Sequence, residues 1–170
     1  MRIGVLGGTF DPVHNGHIGI ANACMKAGNL GLVAFVPAED PWMKKDKLLS
    51  PARFRKKMAQ LAVEGDPRFE MWDLEVKRRG PTFTVDTLEE LSKKRGPGDE
   101  YFLIVGADAL EQFGEWKHPE RILELAKLIA VPRNGFAGKE PEALRNHPAK
   151  NPAQLVWVEG PVSDISASQI

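Results

Sequence analysis

The chain has 170 residues, 27% of them charged and 42% hydrophobic, which predicts one ordinary globular domain over 1–170 with a core of its own and excludes a disordered chain. Its 23 basic and 23 acidic side chains cancel, so net charge gives no reason to expect a nucleic-acid or membrane partner. One cysteine, Cys24, allows no internal disulfide, no apolar run nears the ~18 residues of a membrane span, and "MRIGVLGG" lacks a signal-peptide layout, so a cytoplasmic location is expected.

"RIGVLGG" is a short apolar run stopped by Gly7 and Gly8 and reads as a buried strand. From Asn15 to about Gly28, Ile18, Ala21, Cys24 and Met25 recur at helical spacing, and Cys24 among small apolar neighbours reads as a packing residue. "LVAFVP" predicts a second buried strand. The mixed-charge stretch "AEDPWMKKDKLLSP" predicts a loop. A helix follows over about Pro51 to Val63, with Ser50 as the expected cap and Pro51 at the first position. "RFEMWDLEV" predicts a third strand, and "GPTFTVDTLEELSKKRG" a loop turning into a helix carrying Val85, Leu88 and Leu91. "EYFLIVG" is a fourth, fully apolar strand. "ADALEQF" and Pro119–Ala126 are short helical segments before a fifth strand in "KLIAVPR". A polar stretch from Asn134 to Pro152 precedes a sixth strand in "QLVWVEG".

Strands and helices alternate throughout, the pattern of a parallel sheet with helices on both faces. The expected fold is therefore α/β: a single-domain, Rossmann-like, doubly wound sheet of order 3-2-1-4-5 plus a sixth strand. In such sheets ligands bind beyond the carboxyl ends of the strands, where the order reverses. The first and fourth strands are the neighbours there. "GGTFDPVHNGH" follows one and "GADAL" the other, so both motifs are expected to face one crevice.

Gly7 and Gly8 allow backbone N–H groups to approach a ligand, and the following helix aims its N-terminal amides the same way. That suits phosphate. No GxxxxGK loop is present, and GxGxxG is incomplete, which disfavours a P-loop kinase and a dinucleotide-dependent dehydrogenase. His14 and His17, three residues apart, can face one way. As phosphate ligands they need no third partner, and an imidazolium would add charge. As zinc ligands they would need one, and His118, His147 and Cys24 fall at no familiar metal spacing, although Asp11 or Asp108 could complete a set. No metal site formed by the protein is therefore expected.

"GGTFDPVHNGH" resembles the signature of the nucleotidyltransferase superfamily, Ser or Thr followed by F-D-x-x-H-x-G-H after the first strand. The closing "ISASQI" is similar to the superfamily's second signature. Between them, "RFRKKMAQLA", "TFTVDTLEEL" and "VGADALEQFGEWKHPERI" resemble the nicotinate and nicotinamide mononucleotide adenylyltransferases, and the likeness runs in order over nearly the whole chain.

The resemblance implies transfer of the AMP moiety of ATP to nicotinate mononucleotide, or to its nicotinamide form, with release of pyrophosphate and no enzyme nucleophile. Mg²⁺ would arrive with ATP. His14 and His17 would contact the triphosphate and stabilise charge on the transferred phosphorus. Gly7, Gly8, Thr9 and Phe10 would line the phosphate and nucleotide loop. Gly106 and Asp108 would take the ribose side, and Ser166 and Ser168 would close over the ATP phosphates. On the mononucleotide side Trp116 would stack on the pyridine ring, Phe83 and Thr84 would lie beside it, and Thr87 would support that loop. Lys44 or Lys45 would meet the mononucleotide phosphate.

Three features depart from the family pattern. The second signature expects Arg or Lys directly after Ile170, where the sequence stops, and the hold on pyrophosphate would rest on that cation. "EDPWMKKD" lacks the histidine of a Pro-His-Lys common in nicotinate-using relatives, and "TFT" stands where a Tyr-Thr pair is commoner. The last two bear on substrate choice. The competing readings are a pantetheine-phosphate adenylyltransferase, a cytidylyltransferase, or a non-catalytic nucleotide-binding protein. The expected partners are ATP and a pyridine mononucleotide, with neither nucleic acid nor membrane. Assembly as a homo-oligomer stays open.

Overall fold

The computed structural model describes residues 1–38, 50–77, 83–132 and 155–158. Six strands form one sheet: β1 (Arg2–Gly8), β2 (Leu32–Pro37), β3 (Phe69–Met71), β4 (Glu100–Gly106), β5 (Ala126–Val131) and β6 (Leu155–Trp157). The spatial order is β3-β2-β1-β4-β5-β6, and every pairing is parallel. Five helices connect them: α1 (Asn15–Ala27), α2 (Ala52–Val63), α3 (Thr84–Arg95), α4 (Ala107–Glu111) and α5 (Pro119–Leu125), with a 3₁₀ turn at Phe113–Glu115 between the last two.

Successive residues of a strand face opposite sides of the sheet, and both sides are apolar here. Ile3, Val5, Leu32, Ala34, Val36, Tyr101, Leu103, Val105, Leu128 and Ala130 build one core. It is covered by Val85, Leu88 and Leu91 of α3, Leu110 of α4, and Ile122 and Leu123 of α5. Leu6, Val33, Phe35, Phe102, Ile104, Ile129 and Val131 build the second core under Ala21 and Cys24 of α1 and Ala59 and Val63 of α2. Helices before β3 thus lie on one face and helices after it on the other, and the winding reverses between β1 and β4. This is the fold and the strand order expected from the alternating pattern.

The strands β1, β2 and β4 have the bounds that their apolar runs predict. Two local expectations are corrected. The third strand is only three residues long, because from Asp73 to Lys77 the chain turns, with the Lys77 amide donating to the Asp73 carbonyl at 3.3 Å. Ser50 is not the cap of α2. Pro51 holds that position with no side-chain cap bond, and Ser50 uses its backbone elsewhere, donating from its amide and accepting at its carbonyl. Cys24 is fully buried, and burial pushes its thiol up to about 12, so it stays protonated as a packing group. Among the described residues no helix is long and apolar enough to cross a membrane. Asn134–Pro152 lies outside them, its last described neighbour being Pro132.

Candidate active site

β1 ends at Gly8, which sits in register with Pro37 of β2. Among the described residues a Cβ at Gly7 would meet only the Val36 carbonyl oxygen, at 3.9 Å, so within them the backbone at Gly7 is open to close approach. Thr9 and Phe10 turn inward instead. The Phe10 ring is 1% exposed, held in the left-handed region at φ 49°, and packs 5.6 Å from the Phe35 ring. The side chain of Phe10 therefore shapes the loop from beneath. Asp11 and Pro12 are joined by a cis peptide bond, after which His14 caps α1.

The two histidines cap that helix reciprocally. The Gly16 amide donates to Nδ1 of His14 at 3.0 Å, and the His14 amide donates to Nδ1 of His17 at 3.0 Å. This is the capping-box arrangement with imidazoles in place of the usual hydroxyl and carboxamide. A ring nitrogen that accepts an N–H carries a lone pair, so the proton of each neutral ring resides on Nε2. Both imidazoles are thereby presented as Nε2–H donors. The rings stack with centroids 3.9 Å apart, and the Phe10 ring meets His17 edge-on at 4.9 Å.

The β4–α4 junction leaves the same edge of the sheet from the adjacent strand. Gly106 caps α4, and Asp108 stands exposed in its first turn. Leu6 of β1 and Ile104 of β4 are paired in register, so the two junctions begin two residues beyond neighbouring positions. The structure thus brings Gly7, Gly8, His14 and His17 to one side of the switch point and Gly106 and Asp108 to the other.

Phe83, Thr84, Thr87 and Trp116 form a second group over the first core. Phe83 precedes α3, Thr84 opens it, and Phe83 and Trp116 both pack on the core residues below. Lys117 ties the two segments, with Nζ 4.9 Å from the Phe83 ring centre and 3.1 Å from Oδ2 of Asp86. Trp116 lies 5.2 Å from the Phe113 ring, and its buried Nε1 has no hydrogen-bond partner among the described residues. Thr87 is buried, and its hydroxyl donates to Oε2 of Glu75 at 2.7 Å. Its part is to hold the turn containing Glu75 to α3, beneath the surface. Lys44, Lys45, Ser166 and Ser168 lie outside the described residues.

Sequence reasoning missed Arg55, Glu75 and Lys117, whose partners are set by tertiary contacts alone. The reciprocal cap had a signal, because His14 and His17 stand at the spacing of a capping box. Among the described residues no three His, Cys, Asp or Glu side chains are grouped to hold a metal.

The profile of the cytidylyltransferase-like family matches residues 5–170. A probable nicotinate-nucleotide adenylyltransferase of Dehalococcoides mccartyi is 38% identical over 170 residues, all of this chain and 83% of that protein. One from Bacillus pumilus is 36% identical over 169 residues, 99% of this chain and 83% of that protein. Among solved structures, the Plasmodium falciparum nicotinic acid mononucleotide adenylyltransferase complexed with NaAD superposes with a TM-score of 0.74 over 99% of this chain and 81% of that one. At 20% identity that likeness speaks to the fold. The match along almost the full chain, at identities well above those of fold likeness, places this chain in the cytidylyltransferase-like family, among the nicotinate-nucleotide adenylyltransferases.

Proposed function

We propose that the chain transfers the adenylyl group of ATP to nicotinate mononucleotide, forming the dinucleotide deamido-NAD in NAD biosynthesis. An oxygen of the mononucleotide 5′-phosphate attacks the α-phosphorus of ATP. The bond from that phosphorus to the oxygen bridging to the β-phosphorus breaks, and pyrophosphate leaves with the electron pair. Mg²⁺ enters as MgATP, held mainly by the substrate phosphates, as is usual for that ion.

The reading rests on the reciprocal capping of His14 and His17 at the switch point, which supplies two preset Nε2–H donors beside an α-helix N-terminus. Donors aimed in advance at developing phosphoryl charge lower the barrier without any enzyme nucleophile. In this reading the Gly7–Gly8 backbone, Thr9 and Phe10 form the phosphate loop, and Gly106 and Asp108 take the ribose side. Phe83, Thr84 and Trp116 frame the pyridine ring, with Thr87 supporting them through Glu75. Lys44 or Lys45 takes the mononucleotide phosphate, and Ser166 and Ser168 take the ATP phosphates. A reducing cytoplasmic setting suits the lone, buried Cys24.

The test is incubation with ATP, Mg²⁺ and, in separate reactions, nicotinate mononucleotide, nicotinamide mononucleotide and phosphopantetheine, with pyrophosphate release and chromatography of the product as readouts. Deamido-NAD is the expected product, reduced ~10²-fold or more by His17→Ala. Product from phosphopantetheine alone would assign the chain to a different adenylyl acceptor. ATP binding with no pyrophosphate from any acceptor would make it a binding protein.

A further inference from the structure

Arg55, near the start of α2, is 2% exposed and heads the largest fully buried side chains of the described residues. A guanidinium taken out of water must have its N–H groups satisfied. Here the acceptors include three backbone carbonyls from three separate segments. Nε donates to Ser50 at 2.8 Å, one Nη donates to Thr9 at 3.2 Å, and the same nitrogen makes a short bond to Ala38. Ala38 directly follows β2, Ser50 immediately precedes Pro51 and α2, and Thr9 belongs to the loop between β1 and α1.

The amides of two of those residues, Ala38 and Ser50, turn back onto that loop. The Ala38 amide donates to the Gly8 carbonyl at 2.8 Å, and the Ser50 amide donates to Oδ2 of Asp11 at 2.9 Å. The Ser50 amide lowers the Asp11 pKa, opposed by partial burial and assisted by the Arg55 charge. The loop is therefore gripped at Gly8, Thr9 and Asp11 through residues that Arg55 organises. Between Thr9 and Asp11 sits Phe10, whose buried ring is the edge contact on His17. Packing α2 on the sheet would need only an aliphatic side chain at position 55. These carbonyls are reached from two separated nitrogens of one planar guanidinium, a spread that the single ammonium nitrogen of lysine does not reproduce.

We propose that Arg55 is a positioning residue for adenylyl transfer: it sets the β1–α1 loop, and through Phe10 the His17 imidazole, without touching either substrate. The inference rests on the functional reading above.

Arg55→Lys keeps the charge and removes the fork. Measured against the wild type, it is expected to keep a cooperative melt and to lose kcat by ~10-fold or more, with KM for ATP little changed, as misplaced catalytic groups do. The ¹⁵N spectrum of the His17 ring, recorded without substrate, is expected to change from a single Nε2–H tautomer to a mixture. Asp11→Asn weakens an exposed part of the same network and is expected to give a smaller, several-fold loss in kcat with the melt unchanged. Wild-type kcat and an unchanged His17 spectrum in Arg55→Lys would overturn the proposal. So would an Arg55→Lys that fails to fold beside an Asp11→Asn that is fully active. A wild type that makes no dinucleotide would sink the functional reading, and the ring spectrum would still decide whether Arg55 positions His17.

Discussion

In the proposed reading, His14 and His17 each do two jobs with one ring. Nδ1 accepts a main-chain amide at the helix start, and the same bond fixes Nε2 as the donor nitrogen. The two jobs separate by substitution. His14→Ser keeps an oxygen acceptor at the cap and removes the donor. It is expected to melt close to the wild type and to lose adenylyl transfer by ~10²-fold. His14→Ala loses the cap as well, at a cost of about 1 kcal/mol, with a similar loss of activity. Denaturant melts beside steady-state rates check both, and a fully active His14→Ser would leave His14 with capping alone. The histidine spacing was legible in the sequence, because residues three apart at a helix start are neighbours. The protonated nitrogen was not, because it depends on which amides the caps meet.

At the scale of elements, the core beside β1 is packed closely enough to dictate residue size. A Cβ at Gly4 of β1 would stand 2.7 Å from Cδ1 of the buried Leu30 and 3.1 Å from Cδ1 of Ile104. Gly4→Ala is therefore expected to destabilise the fold by about 1 kcal/mol or more through overpacking. It should leave the turnover of the folded protein unchanged, since Gly4 lies at mid-strand, away from the carboxyl edge. A denaturant midpoint at or above the wild-type value would show that Leu30 and Ile104 yield freely. Buried parallel strands were the easiest elements to read, because both faces are apolar and the run ends where glycine or proline begins. β3 was overextended because "RFEMWDLEV" alternates past the point where Asp73 and Lys77 close a turn. Ser50 has the residue type of a cap, but Asp11 and Arg55 engage its backbone.

For the whole molecule, each central strand feeds both cores, and from this we propose that 1–170 folds as one cooperative unit. Leu128 and Ile129 are adjacent on β5 and face opposite cores. Leu128→Ala and Ile129→Ala are each expected to cost about 2–5 kcal/mol, and each should shift one shared unfolding transition. Two resolved transitions in either variant would mean that the faces unfold separately. The sequence by itself determined the alternation of strands and helices, the apolar strands, and the glycine–histidine turn. It did so because these follow from short-range periodicity and from residue types at fixed spacing. Tertiary structure alone decided that Arg55 underlies the loop, that Thr87 answers to Glu75, and that Lys117 joins Phe83 to the Trp116 segment. Each of those partnerships spans 12 or more residues and forms only when the sheet brings distant segments to one edge. A buried hydrogen bond chooses its acceptor by where the chain folds, and that is not written in local spacing.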